Sequence, residues 1–234
     1  MKKIFVLIGN YGSGKTELAL NFAFRAAKNG KTELIDLDMV NTYFRLSDRK
    51  RQIEAEEIRL VSPNYACTNV ETLSIPAEVT SAFHQDWDTV VFDVGGDPAG
   101  AMALGRYHND FMELPEGTLE VLNVINVRRP MAGTADKLIA LLGDMERNSR
   151  LKVTGFVNNT NLSYATTEQE LLDGYEVLKE ASERTGIPVL YTSGTKALLE
   201  KFAQHDLDKR YVGELLPIDI YTHRDWDSFS RLGR

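Results

Sequence analysis

The chain carries near its start the segment Gly9-Asn10-Tyr11-Gly12-Ser13-Gly14-Lys15-Thr16. This segment matches the pattern G-x-x-x-x-G-K-[ST] at every fixed position. An apolar run at 4–8 precedes it, as is typical of a buried parallel strand. Helix-forming residues at 17–28 follow, with Gly30 just past their end. Strand, glycine loop and helix in this order predict a phosphate-binding loop, whereas a glycine turn entering an ordinary helix is the alternative.

Each part of this loop has an expected role in binding a nucleotide. Glycines let backbone N–H groups turn inward around an anion, and the helix N-terminus adds unpaired donors and a partial positive charge. We expect Lys15 to reach the β- and γ-phosphates, where it would also serve catalysis, and the Thr16 hydroxyl to hold Mg²⁺. The predicted nucleotide-binding residues of the loop are Asn10, Tyr11, Gly12, Ser13, Gly14, Lys15 and Thr16.

Composition narrows the class of protein. The chain has 234 residues, 43% of them hydrophobic and 26% charged, which suits one sizeable soluble α/β domain. A net charge of −7 argues against a broad nucleic-acid surface. The single cysteine, Cys67, excludes an internal disulfide. The N-terminus leads straight into the first strand and no apolar run reaches membrane-spanning length, so we expect a cytoplasmic protein without a membrane span.

Short apolar runs alternate with helical stretches along the chain, which predicts βα units. The fold class expected is α/β, a mostly parallel sheet with helices on both faces. The predicted strands are 4–8, 32–37, 58–61, 89–94, 119–127, 152–157 and 189–191. The predicted helices are 17–28, a broken one within 43–57, 76–85, 134–147 and 166–185. We expect a single domain over 1–234, in which 217–234 forms a C-terminal extension that packs over a sheet edge or contacts a partner.

Polar residues follow several predicted strands, and ligands of open α/β sheets bind beyond the carboxyl ends of the strands. Asp93 ends one strand and is suited to bind Mg²⁺ through water. Gly96, two residues after the next valine, would let a backbone N–H approach the γ-phosphate and sense hydrolysis. Asp36 and Asp38 end another strand, where one carboxylate is suited to the metal and the other to an attacking water. A simple acidic turn is the alternative for that pair.

Two segments carry a family resemblance: 35–45, Ile-Asp-Leu-Asp-Met-Val-Asn-Thr-Tyr-Phe-Arg, and 92–97, Phe-Asp-Val-Gly-Gly-Asp. With the glycine loop, they resemble the SIMIBI class of P-loop NTPases, and more narrowly the MinD/ParA/CobQ-type nucleotide-binding domains, over residues 1 to about 200. The resemblance implies that Asp38 positions the lytic water and that Asp36 and Asp93 support Mg²⁺ with Thr16. It also implies that Asn158 reads the adenine edge, for which an amide side chain is suited; a strand-end cap is the alternative.

The chain departs from those relatives in two respects. The deviant loops of MinD and ParA carry a second lysine where this chain has Asn10, so the lysine that bridges two nucleotides in a closed dimer is missing. A homodimer is left open without that mechanism. The Cys-x-Cys pair of nickel-inserting relatives is also missing, which disfavours direct metal ligation by cysteine.

Two arginines and one four-residue segment leave further alternatives open. Arg128 and Arg129 follow a predicted strand, where they could face phosphate or an acidic partner, although a solvated pair is the simpler interpretation. The segment at 158–161, Asn-Asn-Thr-Asn, lacks the lysine and carboxylate of the usual guanine-reading Asn-Lys-x-Asp. This favours ATP over GTP.

The leading hypothesis is a Mg²⁺-dependent ATPase that acts as a nucleotide-controlled switch on an unidentified protein partner. It rests on the complete loop and the acidic strand ends. The first alternative is a small-molecule kinase or ATP-dependent ligase of the dethiobiotin-synthetase type. The second is a scaffold that binds nucleotide without hydrolysing it.

Overall fold

The computed structural model describes residues 2–38, 46–62 and 77–222. Its strands are β1 (Lys3–Ile8), β2 (Thr32–Leu37), β3 (Arg59–Val61), β4 (Thr89–Val94), β5 (Leu119–Ile125), β6 (Gly155–Asn158), β7 (Val189–Gly194) and β8 (Glu214–Pro217). Its helices are α1 (Lys15–Ala27), α2 (Lys50–Ala55), α3 (Ser81–His84), α4 (Pro98–Gly105), α5 (His108–Met112), α6 (Ala135–Ser149), α7 (Glu168–Thr185) and α8 (Lys196–Phe202). Short 3₁₀ turns lie at Leu46–Arg49, Ala77–Thr80 and Lys209–Tyr211.

The strands form one sheet in the order β3-β2-β4-β1-β5-β6-β7-β8. Each neighbouring pair is parallel. All carboxyl ends therefore meet at one edge of the sheet, where polar residues following different strands come close together. The predicted α/β class with a parallel sheet is confirmed.

Both faces of the sheet are covered, because alternate residues of each strand join different hydrophobic clusters. In β4, Val90 and Phe92 pack in one cluster with Leu138 of α6. Val91 packs in the other with Leu18 of α1. The near-continuous apolar sequence of the central strands is thus explained by burial on both sides, with α1 packed on one face and its N-terminus near the carboxyl end of β1.

The structure differs from the sequence prediction at several elements. The helix predicted at 76–85 is a 3₁₀ turn followed by the single turn α3, and Pro76 lies outside the described residues, as do 43–45 of the helix predicted within 43–57. The sequence analysis missed α4, α5, α8 and β8. The start of α4 did carry a signal, since Pro98 occupies its first turn and the Asp97 carboxylate accepts a hydrogen bond from Gly100 N at 2.7 Å. Two glycines in that segment lower its intrinsic helix propensity, so the sequence pattern did not predict a helix there.

Candidate functional site

The glycine loop joins β1 to α1 at the carboxyl edge of the sheet. Gly14 is the N-cap of α1 in the left-handed region, at φ 92°, which favours glycine there. A Cβ on Gly14 would also lie 2.3 Å from Nδ2 of Asn159. The first N–H groups of α1 have no acceptor within the helix and face the loop, as an anion site requires. The strand–loop–helix arrangement predicted for residues 9–16 is therefore present.

The Lys15 side chain folds back onto the glycine loop. It is buried, and Nζ donates a hydrogen bond to the Asn10 carbonyl oxygen at 3.1 Å. Burial lowers the pKa of Lys15, while the nearby carboxylates of Asp93, Asp38 and Asp97 act in the opposite direction. Three carboxylates around one ammonium group make this the place where a bound phosphate and a divalent cation would rebalance the charge.

Asp93 lies beside the start of α1. It is the register partner of Asp36 on the adjacent parallel strand, so the two side chains point to the same face of the sheet. Asp93 is fully buried and shares a hydrogen bond with the Thr16 hydroxyl, while its Oδ1 has no partner among the described residues. Burial raises the pKa of Asp93 to about 7, against the opposing effects of Lys15 and Thr16.

These oxygens fit a magnesium ion that is shared with a nucleotide. Mg²⁺ is held by one or two carboxylates, a hydroxyl, waters and substrate phosphates rather than by an all-protein cage. Thr16, Asp93 and Asp36 supply such oxygens, and the buried Oδ1 of Asp93 is the kind of unpaired acceptor that a metal-bound water satisfies. Over the described ranges, no group of three or more His, Cys, Asp or Glu side chains could hold a metal alone. The metal roles stay predictions.

The turn after β2 brings Asp38 to the same edge. The backbone N–H of Asp38 donates to Oδ1 of Asp36 at 2.9 Å, which is the acidic-turn geometry. The Asp38 side chain is half-buried and lines a cavity together with Lys15 and Thr16. Its position is compatible with the predicted water-positioning role, which stays a prediction. The rest of the resembling segment, 39–45, lies outside the described residues.

Gly96 packs directly on the glycine loop. A Cβ there would meet the Tyr11 backbone at 2.7 Å (N) and 2.8 Å (Cα), and the Asn10 carbonyl carbon at 2.9 Å. Only a residue without a side chain fits this contact. The segment after β4 therefore packs directly on the backbone of the glycine loop, and the predicted role of Gly96 as a hydrolysis sensor stays a prediction.

Asn158 has the environment of the strand-end cap that was the alternative to adenine reading. It is buried at the end of β6, where its Nδ2 donates to the Leu171 carbonyl oxygen at 3.0 Å and its Oδ1 accepts from Thr160 N at 3.2 Å. Both ends of the amide thus bind the protein, as the strand-end cap requires. Adenine reading by Asn158 stays a prediction, and it would require these two hydrogen bonds to be exchanged for bonds to the base.

The next residue, Asn159, contacts the loop instead. Its Nδ2 donates to the Ser13 carbonyl oxygen at 2.8 Å, and its Oδ1 accepts from the Ser193 hydroxyl at 2.8 Å. In the sequence, Asn159 is recognisable only as part of the polar segment 158–161 that follows a predicted strand. The signal that could have found it is its place after a parallel strand near the loop strand, but which side chain of 158–161 turns inward depends on the twist and bulge of β6.

A cavity of about 650 Å³ runs from the loop along the carboxyl ends of β6 and β7. This volume lies within the range of small-molecule sites. Its phosphate end is lined by Tyr11, Gly12, Gly14, Lys15, Thr16, Glu17, Asp38 and Arg129. Its far end is lined by Asn159, Thr160, Asn161, Ser163, Tyr164, Thr166, Ser193, Gly194, Thr195, Leu198, Ile218, Ile220 and Thr222. The far end therefore combines apolar side chains with neutral polar ones.

The wall formed by 218–222 is attached to α1. The Glu17 carboxylate accepts hydrogen bonds from Tyr221 N at 2.6 Å and from Thr222 N at 3.0 Å. Asn21, one turn later in α1, exchanges hydrogen bonds with the backbone of Asp219 at 2.8 and 2.9 Å. The start of the predicted C-terminal extension thus packs over the first turns of α1, and residues 223–234 lie outside the described residues.

Comparison with known proteins identifies the fold. No protein-family model and no curated protein matches the chain. Among solved structures, the cell division protein FtsY from Thermotoga maritima matches 82% of this chain and 62% of its own, with 17% identity and a TM-score of 0.56. FtsY from Mycoplasma mycoides matches 81% of this chain and 59% of its own, with 18% identity and a TM-score of 0.54. The signal recognition particle receptor FtsY from Elizabethkingia anophelis, in complex with GDP, matches 82% of this chain and 57% of its own. Its identity is 18% and its TM-score is 0.51.

The fold is that of the P-loop NTPases. This chain spans about three-fifths of the length of the FtsY chains that it matches. The likeness to these structures concerns the fold alone, so the SIMIBI-class resemblance and the narrower MinD/ParA/CobQ-type resemblance stay predictions. No helix in the described ranges is both long enough and apolar enough to cross a membrane.

Proposed function

We propose that this protein is a Mg²⁺-dependent ATPase in which the bound nucleotide controls the segments after β2 and β4, and through them the affinity for a protein partner. The contact between Gly96 and the Tyr11 backbone supports this proposal most directly. A phosphate bound inside the loop would lie next to a segment that is packed directly on the loop backbone. Loss of the γ-phosphate would therefore change both together.

The chemistry divides among few residues. The loop amides and Lys15 bind the phosphates, and Thr16 and Asp93, with Asp36, hold Mg²⁺ through oxygen atoms. Mg²⁺ supplies neutralisation of the charge that develops on the phosphate oxygens. Asp38 accepts a hydrogen bond from the attacking water and orients it toward the terminal phosphate. Lys15 and a bound cation would stabilise the ionised form of Asp93 and so offset its burial.

The far end of the cavity favours adenine. Guanine presents a ring N–H and an amino group on one edge, a pair of donors that a carboxylate satisfies best. The Glu17 carboxylate at this wall of the cavity is already engaged by Tyr221 N and by the amide and hydroxyl of Thr222, and the other described residues of the far end carry no carboxylate. Neutral amides, hydroxyls and backbone groups can instead serve the mixed donor and acceptor edge of adenine. FtsY from E. anophelis was solved with GDP, so base preference is the point on which this chain would differ.

The test is a titration of ATP and GTP, each with Mg²⁺, against the wild type, Lys15→Ala and the control Lys28→Ala. Lys28 is exposed at the opposite end of the same helix. Losing a charge-assisted contact costs about 1.5–3 kcal/mol, so Lys15→Ala should weaken ATP binding at least tenfold while Lys28→Ala leaves it unchanged. Tighter binding of GTP than ATP would overturn the assignment of the base.

Release of inorganic phosphate from ATP then separates the remaining functions. Slow hydrolysis that a partner alters supports the switch. ATP that is bound tightly and stays intact for hours supports the scaffold. Transfer of phosphate to an added metabolite supports the kinase or ligase.

A further inference from the structure

Two adjacent arginines after β5 have different partners. Arg128 Nη2 lies 3.0 Å from a Glu170 carboxylate oxygen and 2.6 Å from an Asp173 carboxylate oxygen, both at the start of α7. Arg129 turns the other way, and its Nε donates to the Gly12 carbonyl oxygen at 2.8 Å. The first arginine is therefore neutralised by the helix, whereas the second lies on the phosphate-binding loop.

The Arg129 guanidinium lies closely against the loop. A Cβ on Gly12 would be 3.1 Å from its Nε, 3.2 Å from its Cζ and 3.5 Å from one Nη, so a side chain at that position would require the guanidinium to shift by a few tenths of an ångström. Arg129 also lines the phosphate end of the cavity beside Lys15 and Thr16. Within the described ranges, no carboxylate forms an ion pair with it.

The backbone that carries Arg129 is held in a turn. Arg129 N donates to the Asn126 carbonyl oxygen at 3.0 Å, and Ala132 N donates to the Arg129 carbonyl oxygen at 3.0 Å. Asn126 itself is fully buried and donates to the Asn161 carbonyl oxygen at 3.0 Å. The guanidinium is thus presented from a fixed base, which reduces the entropy lost when it binds an anion.

The charge balance at this end of the cavity calls for a second cation. Asp36, Asp38, Asp93 and Asp97 all end or follow strands at the same edge of the sheet, where Lys15 is buried. Asn10 occupies the loop position at which a second lysine could stand. A guanidinium has five N–H donors, and the bond to Gly12 uses the one on Nε.

We propose that Arg129 is a phosphate-binding residue supplied in cis. Its Nε holds the Gly12 carbonyl oxygen, and its Nη groups bind oxygen atoms of the terminal phosphates. It provides from the β5–α6 turn the second positive charge that the loop itself lacks. This inference deepens the proposed function and rests on its phosphate site, although not on the identity of the base or on hydrolysis.

The substitution Arg129→Gln separates phosphate binding from support of the loop. The Nε2 of glutamine occupies the same place along the side chain as the Nε of arginine, so this variant can keep the hydrogen bond to Gly12 while it loses the charge and both Nη groups. Arg129→Ala loses the hydrogen bond to Gly12 together with the charge and both Nη groups. Arg128→Gln is the matched control, because it removes the same charge one residue earlier on a side chain directed at α7.

The probe is inorganic tripolyphosphate, measured by isothermal titration in parallel with ATP. We expect Arg129→Gln and Arg129→Ala both to weaken tripolyphosphate binding tenfold or more, and Arg128→Gln to change it less than twofold. Thermal unfolding should show all three variants folded, since both arginines lie at the surface of the turn. Wild-type affinity in Arg129→Gln would overturn the inference and leave Arg129 as a support of Gly12 only.

The two proposals fail in different ways in this experiment. If the wild type binds no tripolyphosphate, or binds it independently of Arg129, the inference about Arg129 is wrong. If tripolyphosphate binding depends on Arg129 but ATP binds no more tightly than tripolyphosphate, the inference holds and the adenine-nucleotide function is wrong.

Discussion

Nδ2 of Asn159 lies 2.8 Å from the carbonyl oxygen of Ser13, across 146 positions of sequence. The same amide accepts a hydrogen bond from Ser193 at the end of β7. A chain of side-chain contacts thus runs from two neighbouring strands into the phosphate-binding loop. The Ser13 carbonyl is therefore held by a side chain from the end of β6, which helps to fix the backbone of the loop.

Replacing Asn159 by alanine should therefore damage both stability and binding. The buried Ser193 hydroxyl and the Ser13 carbonyl would lose a partner, at about 1–3 kcal/mol, and the loop would lose its support. We expect a lower unfolding midpoint and at least tenfold weaker ATP binding. Thermal unfolding and titration calorimetry measure the two effects. Asn109→Ala, on the exposed surface of α5, is the control; an Asn159→Ala variant that behaved like it would contradict the role of this contact.

Gly96→Ala tests the coupling between the segment after β4 and the loop. The new methyl group would meet backbone atoms of Tyr11 and Asn10 at 2.7–2.9 Å, so one of the two segments must shift. We expect weaker nucleotide binding and a reduced hydrolysis rate, both measured at saturating Mg²⁺.

Gly143→Ala provides the matched control for that substitution. Gly143 lies inside α6, and the nearest atom to its added Cβ is an Arg147 Nη at 3.5 Å. Alanine there should leave nucleotide binding unchanged and stabilise the helix by up to about 1 kcal/mol. Equal binding by the two alanine variants would show that the Gly96 contact is not coupled to the site.

The buried carboxyl of Asp93 predicts a pH dependence of stability in the nucleotide-free protein. Its pKa is raised from 3.8 to about 7 in the folded state. Between those values the folded state keeps a proton that the unfolded state has lost, so stability falls as pH rises from about 4 to 7. Each unit of pKa shift corresponds to about 1.4 kcal/mol.

Asp93→Asn should remove this part of the slope, because the amide has no proton to lose. We expect the variant to be more stable than the wild type at pH 8 and to have lost Mg²⁺-dependent hydrolysis. Unfolding midpoints at pH 5, 6, 7 and 8 measure the first effect, and phosphate release measures the second. Parallel pH profiles for the two proteins would show that Asp93 is ionised in the folded state throughout.

The parts of the site that follow from local sequence were predictable. Lys15 and Thr16 belong to one motif, and Asp93 ends an apolar strand, so their placement needed only the rule that parallel strands end at one edge. Arg129 and Asn159 depend on contacts made 117 and 146 positions away. The sequence shows that polar residues follow β5 and β6, but not which of two neighbours turns inward. Asn158 and Asn159 illustrate this, because a one-residue difference reverses the direction of the side chain.

The same limit applies to β8 and the segment after it. Four residues at a sheet edge give a weak strand pattern, and 218–222 is fixed by the side chains of Glu17 and Asn21 rather than by its own periodicity. The glycine-loop motif ends at Thr16, so the motif alone does not indicate a role for Glu17.

Glu17→Ala should separate binding of the nucleoside from binding of the phosphates. The substitution removes the acceptor for Tyr221 N and for the amide and hydroxyl of Thr222, so the wall at the far end of the cavity is released from α1. Ile218 and Ile220 line that end, whereas the loop contacts stay intact. We therefore expect ATP binding to weaken about tenfold while tripolyphosphate binding changes less than twofold, both measured by titration calorimetry. Arg25→Ala, which breaks only the exposed ion pair between α1 and Glu214 of β8, should change neither affinity. Equal losses for ATP and tripolyphosphate in Glu17→Ala would mean that Glu17 acts on the loop itself, and the wall would then have no separate part in holding the base.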